Sequence, residues 1–251
     1  MPEKAFMGKV ALITGGHSGI GEAIAKKFAF MGADIAMIGM SVEKGMHATK
    51  QVIEQYQVKA VDYRCNVAKE EEVRNTVAQI VEEFGKIDFL INNAGIYPAV
   101  PFLEMDSELF CKIFDINVKG IFHMTKEVVN QSMKAQRAGK VISISSVDSW
   151  KPTKGITAYA ASKAAVNSLV KSFALELAEY GITSNGVAPG WVATEAVLKA
   201  GRFKSQIQDV LKRRMAEPCE IGEIVTFLCE ERADYINGEI LNLSGGLLMN
   251  G

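Results

Sequence analysis

The chain has 251 residues, 48% hydrophobic and 23% charged, with a formal net charge of −1. That length supports one sizeable hydrophobic core and a single domain. The near-neutral charge offers no electrostatic footprint for nucleic acid, and no apolar run approaches the ~18 residues that a membrane span needs.

The segment Met1–Lys9 reads as neither a signal nor a transit peptide, so no membrane partner and a cytoplasmic location are expected. Cys65, Cys111, Cys219 and Cys229 form no Cys-x-x-Cys pair and read as reduced thiols. His17, His47 and His123 are scattered, so no metal site is expected.

In chain order, Val10-Ala11-Leu12-Ile13 is a short continuous apolar run, suited to a strand buried on both faces. Helical spacing follows over Ile20–Met31, then a strand at Ile35–Ile38. Ser41 is a possible N-cap for a helix to about Tyr56. A strand near Ala60–Cys65, a helix over Lys69–Phe84 and a strand at Phe89–Ile91 continue the alternation. A long helix is predicted over Ser107–Lys134, a strand over Val141–Ile144, a helix over Thr157–Tyr180 and a strand near Ile182–Val187. Thr194–Met215 is polar and helical in composition, Pro218 opens a helix to about Glu230, and Ile240–Leu243 closes the set. Strands alternating with helices predict an α/β fold: a doubly wound, Rossmann-type parallel sheet of about seven strands with helices on both faces.

Between the first strand and the first helix lies Thr14-Gly15-Gly16-His17-Ser18-Gly19-Ile20-Gly21. Missing β-carbons let a backbone turn tightly and approach a pyrophosphate, and the helix N-terminus beyond offers free N–H groups and a positive dipole end. Further on, Tyr159 and Lys163 stand four residues apart, with Ser146 thirteen residues before the tyrosine. A spacing of four puts both side chains on one helix face. A phenol has a pKa near ~10, and an adjacent ammonium favours its anion, which makes the tyrosine usable as an acid and base near neutrality. Alone, the pair reads first as a solvated helix-surface pair, since such spacings often arise by chance.

Taken together, the Gly-x-x-x-Gly-x-Gly turn, Asn92-Asn93-Ala94-Gly95, Asn117-Val118-Lys119-Gly120, Ser146, Tyr159/Lys163 and Pro189-Gly190-Trp191-Val192-Ala193-Thr194 resemble the short-chain dehydrogenase/reductase family, compact single-domain branch, over essentially the whole chain. The resemblance implies a nicotinamide-dependent oxidoreductase interconverting a secondary alcohol and a ketone. Tyr159 would be the general acid/base and Ser146, rather than its neighbour Ser145, would bind the reacting oxygen. Lys163 would lower the tyrosine pKa and hold the nicotinamide ribose, and Asn117 would anchor a water linking Lys163 to solvent. Gly15, Ser18, Gly19, Ile20 and Gly21 would cradle the cofactor. Asn93, Ala94 and Gly95 would line its adenosine side, and Pro189, Gly190, Val192 and Thr194 its carboxamide side. Where the family usually shows an aspartate and a small apolar residue against adenine, this chain has Asn66-Val67, an uncharged pair that can still accept a hydrogen bond.

After the second strand stands Gly39-Met40-Ser41, without the acid that repels a 2′-phosphate. This favours NADP over NAD, with Met40, Ser41 and Lys44 near the ribose, although the arginine common in NADP users is missing. Tyr97, Trp150 and Trp191 predict an aromatic pocket for a ring ketone or alcohol such as a hydroxysteroid; either tryptophan could equally be a core or interface residue. Residues 194–215 would form a substrate lid. Its Lys212-Arg213-Arg214 run is either a solvated face or a site for an acidic tail, as in a 3-oxoacyl-(acyl-carrier-protein) reductase. A catalytically silent dinucleotide-binding scaffold is the rival of another class. The family's habit of pairing its two long helices across a two-fold axis implies a homotetramer or homodimer.

Overall fold

The computed structural model describes residues 4–40, 42–201, 203 and 206–249, without the side chains of 42–48. Its frame is a seven-stranded, all-parallel sheet in the order β3-β2-β1-β4-β5-β6-β7. The strands are β1 (Val10–Thr14), β2 (Asp34–Gly39), β3 (Ala60–Arg64), β4 (Phe89–Asn92), β5 (Gly139–Ile144), β6 (Ile182–Pro189) and β7 (Ile240–Leu243). The helices are α1 (Gly19–Phe30), α2 (Val42–Tyr56), α3 (Glu70–Phe84), α4 (Ser107–Phe114), α5 (Gly120–Val128), α6 (Lys134–Gln136), α7 (Thr157–Leu177), α8 (Glu195–Ala200) and α9 (Pro218–Cys229).

The apolar runs are continuous because each central strand feeds two layers. Ala11 and Ile13 of β1, with Ile35 and Met37 of β2, pack with Ile24 and Phe28 of α1 and Val225 and Leu228 of α9. Leu12, Ala36 and Ile38, which alternate with them, pack on the other face with Val73, Val77 and Ile80 of α3 and Met124 and Val128 of α5. The chain leaves β1 toward β2 and β3 on one side, then returns to place β4 on the other. This reversal opens a crevice beyond the carboxyl ends of β1 and β4, the place where such sheets bind ligands.

Three expected elements differ in detail. The helix predicted as continuous over Ser107–Lys134 is broken twice by π-type turns, Asp115–Lys119 and Val129–Met133. Each wide turn holds an extra residue in the winding, which hydrophobic periodicity does not reveal. The helix predicted to Tyr180 ends its α-winding at Leu177, and a 3₁₀ turn, Ala178–Tyr180, leads to left-handed Gly181. Within the expected helical segment 194–215, α8 stops at Gly201, whose φ of 66° favours a residue without a β-carbon, and among the described residues no further α-winding follows, the 3₁₀ turn Ile207–Asp209 coming next as a named element. By contrast, α9 begins at Pro218 as predicted, behind a Glu217/Glu220 capping box.

At the amino ends of the strands, opposite the crevice, Asp88 ties β1 to β4. Its buried carboxylate accepts from the Val10 N–H at 2.9 Å and pairs with Lys86 at 3.1 Å and Lys9 at 3.3 Å. Asp88→Ala orphans a buried N–H and should lower stability by about 2 kcal/mol, read as an earlier urea midpoint. Because the site lies at the other end of the strands, the folded variant should keep wild-type turnover.

Candidate active site

The crevice is a cleft of about 1350 Å³ whose walls come from the glycine-rich turn, the ends of β4, β5 and β6, α7 and the start of α8. Thr14 organises its floor. Its Oγ1 accepts from the N–H groups of Asn93 and Ala94, both at 3.0 Å, and Asn93 Nδ2 donates back to the carbonyls of Thr14 (3.0 Å) and Gly15 (3.1 Å). The turn and the β4 loop are thereby laced together so closely that side chains have no room. A β-carbon at Gly21 would sit 2.1 Å from the Gly15 oxygen, and one at Gly19, where φ is +56°, would meet Thr194 Cγ2 at 3.1 Å. Ser18 stands at the N-cap of α1 without a side-chain cap bond, so the N–H groups of the first turn keep no hydroxyl partner of their own. Such a narrow, backbone-lined cradle at a helix N-terminus fits a pyrophosphate, and a dinucleotide is the group these residues suit.

The reactive side chains gather on the neighbouring wall. Ser146 follows β5, and Tyr159 and Lys163 lie one turn apart on α7; all three line the cleft. Lys163 is only 4% exposed. Its ammonium donates to the Ile144 carbonyl at 2.7 Å and lies 5.7 Å from the Tyr159 ring centroid. Burial disfavours its charged form and pulls its pKa from 10.5 down to about 8. Tyr97 packs edge-on against Tyr159, with ring centroids 6.1 Å apart.

Asn117 is wholly buried in the first π-type turn. Its carboxamide accepts from the Ile96 N–H (2.9 Å) and donates to the Ile96 carbonyl and Ser162 Oγ, both at 3.0 Å. A β-carbon at Gly95 would stand 3.1 Å from Asn117 Oδ1 and 3.7 Å from Lys163 Nζ, so Asn117, the β4 loop and the lysine meet at that glycine.

Several participants were not singled out from sequence. The Ser146 hydroxyl donates to Asp148 Oδ2 at 3.1 Å and accepts from the Asp148 N–H at 3.1 Å. Ser145 turns the other way, donating to Asn167 Oδ1 at 2.5 Å, and Asn167 donates to Ser149 Oγ, which donates to the Ser146 carbonyl at 2.6 Å. Asn167 stands four residues after Lys163 on the same helix face, a spacing that could have drawn attention to it.

Of the residues expected at the site, Gly15, Ser18, Gly19, Ile20, Asn93, Ala94, Gly95, Tyr97, Ser146, Tyr159, Lys163, Pro189, Gly190, Trp191, Val192 and Thr194 line the cleft. Gly21 and Asn117 support it from behind. Trp150 is not among the lining residues and is 39% exposed at the end of a 3₁₀ turn. Met40, Asn66 and Val67 also lie off the cleft wall. Asn66 Oδ1 accepts from the Ala68 N–H at 3.1 Å, while Val67 packs under Gly120. Ser41 falls outside the described residues, as does the side chain of Lys44.

The sequence profile of the family described as enoyl-(acyl carrier protein) reductase, a short-chain dehydrogenase/reductase family, matches residues 15–248. The chain belongs to the short-chain dehydrogenase/reductase family. It is 36% identical over 246 residues to a 2-dehydro-3-deoxy-D-gluconate 5-dehydrogenase of Formosa agariphila, covering 96% of this chain and 93% of that protein. It is 34% identical to a 3-oxoacyl-(acyl-carrier-protein) reductase of Aquifex aeolicus, covering 98% and 99%. To a 7alpha-hydroxysteroid dehydrogenase of Escherichia coli it is 33% identical, covering 95% and 94%. The crystal structure of an NAD+-bound xylitol dehydrogenase superposes with a TM-score of 0.92 at 33% identity, covering 96% and 99% of the two chains. This short-chain dehydrogenase/reductase is therefore an oxidoreductase by family.

The buried lysine carries a thermodynamic signature. A lysine whose folded-state pKa lies below its unfolded value costs stability while charged; the cost is full below pH 8 and fades as the pH rises toward 10.5. The shift corresponds to about 3 kcal/mol, and losing the bond to Ile144 gives back about 1 kcal/mol. Lys163→Met should thus be more stable than wild type by about 2 kcal/mol at pH 7, with the gap narrowing by pH 10, in paired urea melts. Equal stability at pH 7 would argue against a desolvated ammonium.

Proposed function

We propose that this protein interconverts a secondary alcohol and a ketone with a nicotinamide dinucleotide. The observation that carries the reading is the meeting of Ser146, Tyr159 and Lys163 on one wall of a cleft whose adjoining wall is a dinucleotide cradle. The bound dinucleotide supplies the hydride chemistry.

The residues manage the proton and the geometry. In ketone reduction, Tyr159 gives its phenolic proton to the substrate oxygen; in alcohol oxidation it takes that proton back. The Lys163 ammonium, fixed on the Ile144 carbonyl, favours the phenolate that remains. Ser146 holds the reacting oxygen, and Asp148 fixes the serine rotamer by bonding the same hydroxyl. Asn117 keeps the Gly95–Ile96 backbone and α7 in register, so that Lys163 stays opposite the tyrosine. Val192 and Thr194 bound the carboxamide side, and residues 194–215 act as the lid over the substrate.

The substrate end is more polar than the sequence reading implied. Asp148, Lys151, Thr153 and Lys154 line the cleft between Ser146 and Tyr159 in sequence, where Trp150 was expected. This favours a hydroxylated or acidic substrate over a bare steroid ring, in keeping with the sugar-acid and 3-oxoacyl relatives. A homodimer or homotetramer is proposed as the working assembly, supported by exposed Phe110, Phe122 and Leu175 on α4, α5 and α7.

The test follows absorbance at 340 nm with both reduced dinucleotides and a panel of hydroxy-ketones, sugar acids, oxoacyl thioesters and steroids. At least one carbonyl should be turned over, and Tyr159→Phe should lower kcat by about 10²–10⁴-fold while still binding dinucleotide. Undiminished turnover in Tyr159→Phe would refute the mechanism, and dinucleotide binding without turnover of any carbonyl would favour the silent scaffold.

A further inference from the structure

His17 lies within the glycine-rich turn, yet its side chain does not face the pyrophosphate cradle. Its Nε2 is bonded to Asp62 Oδ1 of β3, and the two side chains are only 8% and 5% exposed. The imidazole fills the space that Gly39 leaves empty: a β-carbon there would stand 2.2 Å from His17 Nδ1 and 2.3 Å from Cε1. Parallel register sets Met37 opposite Asp62 and Gly39 opposite Arg64, so Asp62 enters beneath the carboxyl end of β2. In a dinucleotide fold, that is where an acidic residue reads the adenosine ribose. A second, independent observation concerns the other carboxylate oxygen. Asp62 Oδ2 is buried and has no hydrogen-bond partner among the described residues, a costly state for a carboxylate.

We propose that His17 and Asp62 together read the adenosine ribose, the carboxylate reaching the site from β3 through the imidazole, and that this pair makes NAD the preferred cofactor. The inference rests on the dinucleotide-dependent function above and opposes the NADP preference suggested by the missing acid after β2. His17 is the contacting group, and Asp62 is a positioning residue. With Nε2 directed at Asp62, Nδ1 is the ring nitrogen left at the Gly39 surface, where it can accept from a ribose hydroxyl. The Asp62 carboxylate offsets the imidazole, so the pair does not offer a 2′-phosphate the cationic partner it needs. Among the described residues, Arg64 is a nearby cation, exposed and two residues along the same face of β3.

Binary affinities of the full chain for NADH and NADPH, from nicotinamide fluorescence titration without substrate, test this. Wild type should bind NADH at least about tenfold more tightly. Asp62→Asn, which keeps the shape and removes the charge, should shrink that ratio severalfold, and so should His17→Ser, which serves alone if Asp62→Asn does not fold. Equal or tighter NADPH binding by wild type overturns the inference. So does an NADH:NADPH ratio left unchanged by both folded variants, and so does an NADPH preference abolished by Arg64→Ala. Binding of neither dinucleotide would instead bring down the proposed function, and this inference with it.

Discussion

The arrangement depends on one buried cation. Lys163 is 4% exposed, and its ammonium donates to the Ile144 carbonyl at the end of β5. A buried ammonium is unfavourable for folding, and its depressed pKa expresses that cost. Fold stability alone would replace it with an apolar side chain. What it brings is a fixed positive potential beside a phenol, in a setting where water screens it poorly. In the proposed mechanism, local stability is exchanged for acid–base competence, a compromise common at catalytic sites.

The other features keep that charge in place. The strand-order reversal at β1 creates the crevice; β5 delivers both the Ile144 carbonyl and Ser146; α7 carries the tyrosine and the lysine one turn apart. Thr14 and Asn93 close the gap between the turn after β1 and the loop after β4, and Asn117 joins that loop to α7 through Ile96 and Ser162. Ser145 and Asn167 pin the serine segment to the same helix. The site is therefore built on the ends of rigid elements, and its polar groups satisfy one another across elements distant in sequence.

The sequence carried the fold clearly because the strands are short apolar runs separated by amphipathic helices, and each central strand must supply both layers. Tyr159 and Lys163 were legible because four-residue spacing is a local property of a helix. Asp148 and Asn167 were not, since their importance lies in hydrogen bonds whose partners sequence spacing leaves unassigned. The pairing of His17 with Asp62 illustrates the same limit: Asp62 sits in β3, in a run that reads as ordinary strand, and the β2–β3 register and the ring of His17 are what connect it to the end of β2. Trp150 shows the reverse case, a conspicuous aromatic close in sequence to Ser146 that stands at the end of a 3₁₀ turn and does not line the cleft.

The wide turn around Asn117 has a consequence for how this chain can vary. A π-type turn is an α-helix with one residue too many, and the surplus is absorbed between Asp115 and Lys119. Removing the surplus residue would restore regular winding and leave the helix beyond it in phase. What would be lost is the widened turn itself, and with it the seat from which the Asn117 carboxamide clamps Ile96 and reaches Ser162. A shortening that α5 would tolerate would therefore be felt at the cleft.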